Sequence, residues 1–386
     1  MSKRDYGEGS IDERGKGRWR LRYRVNGRRF AKTVRGSISD ARKELRRLLK
    51  SGDDGEHVEP SKITVVEHVR ARLAQWRASG DISDKTAERY SELIENQIAP
   101  FPIGSIKVQT LKPVDVEAWH TKLRASGNKR GGGLAARTIG HAHRVLSKAL
   151  REAVKFDMVM RNAAGKDGQS APKVQTEEVE IIAPEKIQPM LDKLRGRAIY
   201  PKAVTALFTG LRRGELLALR WSRVDLDGKE IDVREALEET KAHGVRFKAT
   251  KTKSGRRVIS LPDIVVETLR EHRREQLELR MALGLGKLPD DALVFPALDG
   301  GPQAPRQLSG DWREVREAAG VGDVTFHALR HTHASQLIEA NVDIVTISKR
   351  LGHASPNITL QVYAHLFQKR DDKAAAAINA AFAGLA

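Results

Sequence analysis

The spacing of apolar residues changes character along the chain, and each change marks a different kind of element. Near the start, Trp19, Leu21, Tyr23 and Val25 alternate with Arg18, Arg20, Arg22 and Arg24. A period of two gives a strand with one apolar face and one arginine face. Asn26-Gly27 follows as a hairpin turn signal, and RRFAKTV returns with Phe30 and Val34 on one face. From about Ser39 the period lengthens to that of a helix. In ARKELRRLLK, Ala41, Leu45, Leu48 and Leu49 fall on the side that can face the hairpin, while Arg42, Lys43, Arg46 and Arg47 stay solvated. The prediction is a small sheet packed on one helix.

SGDDGEHVEPSK, residues 51–62, breaks both periods and reads as a linker. Four amphipathic helical patterns then run from Thr64 to about Phe156, with Thr64 and Ser83 at capping positions and Pro113 where a first-turn proline belongs. GNKRGGG, residues 127–133, separates the last two. A second polar stretch, residues 161–177, reads as another linker. Beyond it the pattern is mixed: helices first, then two strand-like pieces, GKEIDVREA and RRVISLP, flanking a polar, turn-rich segment, then more helices. The expected organisation is a multidomain α+β protein. It has a small N-terminal β-hairpin with a helix (1–57), an all-helical domain (62–160), a linker (161–177) and a mainly helical domain with a small antiparallel sheet (178–386).

Composition narrows the function. The 386 residues, 40% of them hydrophobic, are enough for two or three cores. With no cysteine there is no disulfide scaffold, thiolate metal site or cysteine nucleophile. No stretch approaches the roughly 18 apolar residues of a membrane helix, and the N-terminus lacks a signal-peptide core, so a soluble, cytosolic protein is expected. The formal net charge is +19, which points to a polyanionic partner. Residues 14–50 hold fifteen Lys or Arg against only Asp40 and Glu44. Arginines at alternate strand positions point the same way and repel one another unless an anion lies across them, so nucleic acid is favoured over a merely solvated face.

Three segments of the last domain carry candidate chemistry. In TGLRRGELLALRW, residues 209–221, Gly210 ends one helix and Arg212, Arg213 and Glu215 open the next, placing a guanidinium beside helix-start N–H groups that suit a phosphate. In KATKTKSGRRVISLP, residues 248–262, Lys248, Lys251 and Lys253 crowd a turn, where mutual repulsion lowers a lysine pKa toward proton-transfer range. In residues 326–366, His327 and Arg330 share a helical face, His353 follows Gly352, and Tyr363 comes ten residues later. His331 and His333 diverge on a helix and have no carboxylate or thiolate with them, so this is a poor metal site. It suits phosphoryl transfer, with guanidiniums neutralising the phosphorane, His and Lys moving protons and Tyr attacking.

Taken together, TGLRRGELLALRW, HALRHTHAS and LGHASPNITLQVYAHL resemble the signature boxes of the tyrosine recombinases, the phage integrase family of site-specific DNA recombinases. The middle helical region resembles that family's core-binding domain, and the N-terminal hairpin and helix its arm-binding domain. The resemblance implies Arg212, Lys251, His327, Arg330, His353 and the nucleophile Tyr363 as catalytic residues, with Glu215 supporting the first arginine and Lys253 as the alternative lysine. It assigns His331 no chemical step. It implies cleavage and rejoining of DNA through a 3′-phosphotyrosyl intermediate, needing no ATP, metal or other cofactor, by a homotetramer on core and arm sites of a phage or mobile element, in the cytoplasm at the nucleoid. Host DNA-bending and excision proteins would be accessory partners. Arg18, Arg20, Arg22, Arg24, Arg28, Arg29 and Lys32 are the expected arm contacts. The tail DDKAAAAINAAFAGLA, with Ile378, Phe382 and Leu385 at helical spacing, either caps its own chain or docks on a neighbour. The rivals are a type IB-like topoisomerase, against which the separate hairpin argues, and a non-catalytic DNA-binding regulator, which would have lost one of the six residues.

Overall fold

Three antiparallel strands open the chain, β1 (Ser10–Glu13), β2 (Arg18–Val25) and β3 (Arg28–Arg35), with β2 in the middle. β1 is four residues long and has no alternation to announce it. In this computed structural model, residues 9–25, 28–53, 61–174, 179–249, 255–367 and 371–383 are described. They fall into two units, Met1–Gln175 and Thr176–Ala386. The alternation on β2 does its expected work: Leu21 and Tyr23 are buried with Ala41, Leu45 and Leu48 of α1 (Ile38–Asp53). Each of those larger side chains contributes about 1.5–3 kcal/mol by leaving water. The even-numbered arginines occupy the opposite face. The register sets Arg18 against Arg35 and Arg24 against Arg29, so Arg29 and Arg35 join that face. Asn26 and Gly27 lie outside the described residues.

Four longer helices form the second core of this unit: α2 (Val65–Ala78), α3 (Asp84–Leu93), α5 (Pro113–Ser126) and α6 (Ala136–Lys155), with the short α4 (Pro102–Ser105) between α3 and α5. Thr64 caps α2 in a reciprocal box with Glu67, and Pro113 is the first residue of α5. The third pattern is not one uniform helix: after Leu93 the chain widens into a π turn, Ile94–Ile98. Part of the expected 161–177 linker is folded. Ala163 and Ala164 are buried in the helical core, and Asn162 Nδ2 donates to the Ser147 carbonyl.

The second unit opens with α7 (Pro184–Leu194), α8 (Tyr200–Thr209) and α9 (Arg213–Leu217). A three-stranded sheet follows, ordered β4 (Val224–Asp225), β5 (Glu230–Val233), β8 (Arg257–Ser260), with a hairpin of β6 (Glu235–Thr240) and β7 (Gly244–Ala249) inserted in the chain between β5 and β8. That hairpin occupies much of the segment read as polar and turn-rich. Its strands are tied by charge, Glu238 opposite Arg246 with Lys248 also bonded to Glu238, and by Leu237 opposite Phe247. β7 alternates Val245, Phe247 and Ala249 with Arg246 and Lys248, a strand signal within the segment read as polar. The helices α10 (Asp263–Ala282), α11 (Pro305–Val315), α12 (Ala328–Glu339), α13 (Ile344–Leu351), α14 (Pro356–Phe367) and α15 (Asp371–Ala381) complete the unit. The main core runs through Leu207, Leu217, Ile231, Ile259, Phe295 and Trp312, and a smaller cluster joins Ala334, Ile338, Ile347, Leu351 and Tyr363. Among the described residues no helix is long and apolar enough to cross a membrane.

Candidate active site

The end of α13 organises the site. Gly352 takes the left-handed conformation there (φ 67°), and the backbone closes a Schellman turn: Gly352 N–H donates to Lys349 O and His353 N–H to Ser348 O. The next three carbonyls have no helical partner. Each is taken by an arginine from elsewhere in the unit. Arg257 Nε donates to Arg350 O (2.7 Å), Arg330 Nη2 to Leu351 O (2.8 Å) and Arg212 Nη2 to Gly352 O (2.9 Å). A helix C-terminus is a site of negative potential, which suits three cations.

Glu215 is the counter-charge. Its carboxylate accepts from the Arg212 backbone N–H and Nη1 (both 2.9 Å) and from Arg257 Nη1 (3.2 Å) and Nη2 (2.8 Å). Burial alone would raise its pKa. The hydrogen bonds and charge of Arg257, followed by the charge of Arg212, pull it below the usual carboxylate range instead. The helix-start N–H that sequence reasoning offered to a phosphate is therefore engaged by Glu215, and α9 has only five residues.

Arg330 is 3% exposed and also donates through Nη1 to Gly210 O (2.6 Å) and through Nη2 to His353 Nε2 (2.9 Å). Guanidinium only donates, so His353 Nε2 accepts and Nδ1 carries the proton, donating to Thr359 Oγ1 (2.8 Å). His353 is thus neutral, in agreement with a pKa pushed down to about 4 by burial and then by Arg330, Arg212 and Arg257. In this state both its nitrogens are committed.

Tyr363 is 1% exposed, packed among Ala334, Ile338, Ile347 and Leu351. Burial pushes its hydroxyl up to about 12, against an opposing pull from Arg330. The hydroxyl lies 2.7 Å from His331 Nδ1, and it donates there when the imidazole is protonated on Nε2. His327 packs edge-on against His331, ring centroids 4.7 Å apart. It keeps a solvent-facing edge, while burial, then His331, then the surrounding arginines push its pKa down to about 4. It also borders a cleft of about 550 Å³ with Arg212, Arg213, Arg313 and Arg316.

Arg212, Glu215, His327, Arg330, His353 and Tyr363 thus stand in one network with His331. Lys251 and Lys253 lie outside the described residues; Lys248 is bonded to Glu238. Sequence reasoning missed Arg257, Thr359 and the contact of His331. Arg257 had a signal: on β8 it shares a face with Ile259 and Leu261, both buried, and a charge on a core face announces a buried partner. As expected, His331 and His333 diverge, His333 Nε2 accepting from Arg350 Nε (3.0 Å). In the N-terminal sheet, Arg18, Arg20, Arg22, Arg24 and Arg29 share one face, and Arg22 is held by Asp12 (3.0 Å). Lys32 does not join them: opposite Leu21, it turns toward α1 and pairs with Glu44 (2.8 Å). The Arg28 side chain lies outside the described residues.

The family model of the phage integrase family matches residues 180–370, and that of the phage integrase N-terminal SAM-like domain matches residues 73–124. The chain is 27% identical over 312 residues to a tyrosine recombinase XerC-like protein of Caldanaerobacter subterraneus subsp. tengcongensis, covering 77% of this chain and 78% of that one. It is 28% identical over 380 residues to an integrase of Streptomyces ambofaciens, covering 94% and 93%. Its fold is like that of the Tn1549 transposon integrase in complex with transposon right end DNA, with a TM-score of 0.66 at 21% identity, covering 78% and 94%. A lambda integrase dimer bound to a core site matches at a TM-score of 0.54 and 18% identity, covering 94% and 96%. The chain belongs to the phage integrase family, the tyrosine recombinases that cleave and rejoin DNA strands.

Proposed function

We propose that this protein is the integrase of a phage or other mobile element, joining and releasing that element at defined DNA sites. The observation that carries this is the convergence of Arg212, Arg330, His327, His353 and Tyr363 around one helix end. Tyr363 attacks a DNA phosphodiester. The P–O bond to the 5′ oxygen breaks as the phosphotyrosyl bond forms at the 3′ side, and the 5′-hydroxyl of a partner strand later reverses the step. Bond energy is kept throughout, so no nucleotide is consumed.

The residues divide the work. Among the described residues Arg212 commits two of its five N–H groups and Arg330 three of five, which leaves donors for the non-bridging oxygens. Each well-placed donor lowers the barrier by about 3–4 kcal/mol. His331, with His327 edge-on against it, receives the tyrosine proton, and Lys251 protonates the leaving 5′ oxygen. His353 can bond a phosphate once it exchanges its bond to Arg330 for one to the substrate, which needs a proton on Nε2. The helical region binds the core site, the N-terminal arginine face binds distal arm sites, and four chains assemble on two duplexes in the cytoplasm, with DNA-bending and excision proteins as accessory partners.

The test uses a nicked suicide duplex carrying the core site taken from DNA flanking the gene. Wild type is expected to form a covalent adduct that Tyr363→Phe does not. An adduct surviving that substitution would overturn the proposal. A type IB-like topoisomerase would relax supercoiled plasmid lacking that site, and a non-catalytic regulator would form no adduct at all.

A further inference from the structure

We propose that Arg257 is a positioning residue for strand cleavage: by sharing the Glu215 carboxylate, it leaves the Arg212 guanidinium with positive charge to present to the phosphate. This rests on the recombinase reading above and goes beyond the residues that the family's motifs supply.

Glu215 and Arg257 are both nearly closed to solvent, their side chains 4% and 7% exposed, whereas the Arg212 side chain is 39% exposed. Water cannot screen the inner pair, so how the carboxylate is divided matters. Arg257 approaches it in a fork, with one nitrogen to each oxygen. Arg212 meets it with Nη1 and a backbone N–H. One buried negative charge therefore serves two guanidiniums. Were Arg257 neutral, the whole charge would fall on Arg212, the arginine at the cleft, and would oppose its attraction for a phosphate. Arg257 also fixes the frame in which Arg212 sits. Its Nε holds Arg350 O, beside the Leu351 and Gly352 carbonyls held by Arg330 and Arg212. Its Nη1 also reaches Gly255 O (3.3 Å), just before the chain enters β8.

A purely structural ion pair and a charge-sharing one predict opposite results for a compensating substitution. Single-turnover cleavage of the suicide duplex is measured for Arg257→Met, Arg257→Lys, Glu215→Gln and the double variant Arg257→Met/Glu215→Gln, with duplex affinity and thermal unfolding recorded for each. Arg257→Met is expected to slow cleavage roughly 10- to 100-fold, the scale of misplacing a catalytic group by about 1 Å, while duplex affinity changes less than threefold. Adding Glu215→Gln removes the unshared charge and is expected to restore at least fivefold of that loss. Arg257→Lys keeps the charge but not the fork and should fall between wild type and the Met variant. A double variant no faster than Arg257→Met would overturn the proposal, as would a Lys variant as slow as the Met variant or a Met variant cleaving at the wild-type rate. Wild type and Tyr363→Phe run alongside. Their contrast does not depend on Arg257, so a failure confined to the Arg257 series counts against charge sharing alone.

Discussion

Gly210→Ala places a single methyl group where two boxes of the site meet. Gly210 ends α8 at φ 68°, a left-handed conformation that costs an L-residue about 1–2 kcal/mol. A Cβ there would lie 2.7 Å from His333 Cδ2 and 2.9 Å from Leu351 Cδ2, well inside contact distance. Neither neighbour yields readily. His333 is 7% exposed and bonded to Arg350, and Leu351 is fully buried beside Tyr363. Overpacking of this kind costs about 1–3 kcal/mol, so the variant should lose roughly 2–5 kcal/mol, or about 5–15 °C in Tm for a unit of some 200 residues. The Gly210 carbonyl also receives Arg330 Nη1 at 2.6 Å. Relief of the clash moves that acceptor, so cleavage should fall about 10- to 100-fold at temperatures where the variant remains folded. Circular dichroism melting and suicide-duplex cleavage read the two effects separately. A variant melting within 1 °C of wild type and cleaving within twofold would refute the packing argument.

Tyr363→Phe should abolish the adduct yet shift stability by only about 1–2 kcal/mol, the scale of one buried hydrogen bond to His331, as urea unfolding would register. His120 titrates near 6.5 when unfolded but near 4 in the folded chain, because burial and then the His143 and Arg124 charges disfavour its cation. Between those values the unfolded chain binds more protons, so stability is lost as pH falls, by about 2 kcal/mol at pH 5 from this side chain. Urea unfolding should show a shallower pH dependence in His120→Asn, and identical profiles would dismiss the assignment. Replacing Arg20, Arg22 and Arg24 by Ala should reduce the log–log salt slope of arm-site binding by roughly two to three. The value should lie nearer two because Asp12 already holds Arg22, and core-site cleavage should persist; equal loss at core sites would refute the separate arm role. Lys251→Ala should cleave slowly with an ordinary 5′-oxygen leaving group and regain most of its rate with a 5′-bridging sulfur, which leaves without a proton. If Lys253→Ala shows that rescue instead, the lysine assignment moves.

Local pattern made a good part of this protein legible. Period-two alternation on β2 separated an arginine face from an apolar one, helical periodicity with Thr64, Ser83 and Pro113 marked the helical core, and the motif boxes named the chemistry. These succeed because capping and burial periodicity act over a few residues. What the sequence left open depends on contacts between distant segments. In the β6–β7 hairpin, β7 alternates Val245, Phe247 and Ala249 with Arg246 and Lys248 and was legible as a strand, whereas the Glu-rich β6 shows its place only through the register that sets Leu237 against Phe247 and Glu238 against Arg246. Lys32 looked like part of the basic face until the register placed it beside Glu44. The sequence alone determined which side chains could serve phosphoryl transfer. Only the tertiary structure decided that three arginines, from the N-cap of α9, from β8 and from α12, grip three consecutive carbonyls at the end of α13, that Glu215 divides its charge between two of them, and that His331 meets Tyr363. The reason is physical: a helix end leaves carbonyls that must find donors, and which donors reach them is settled by packing.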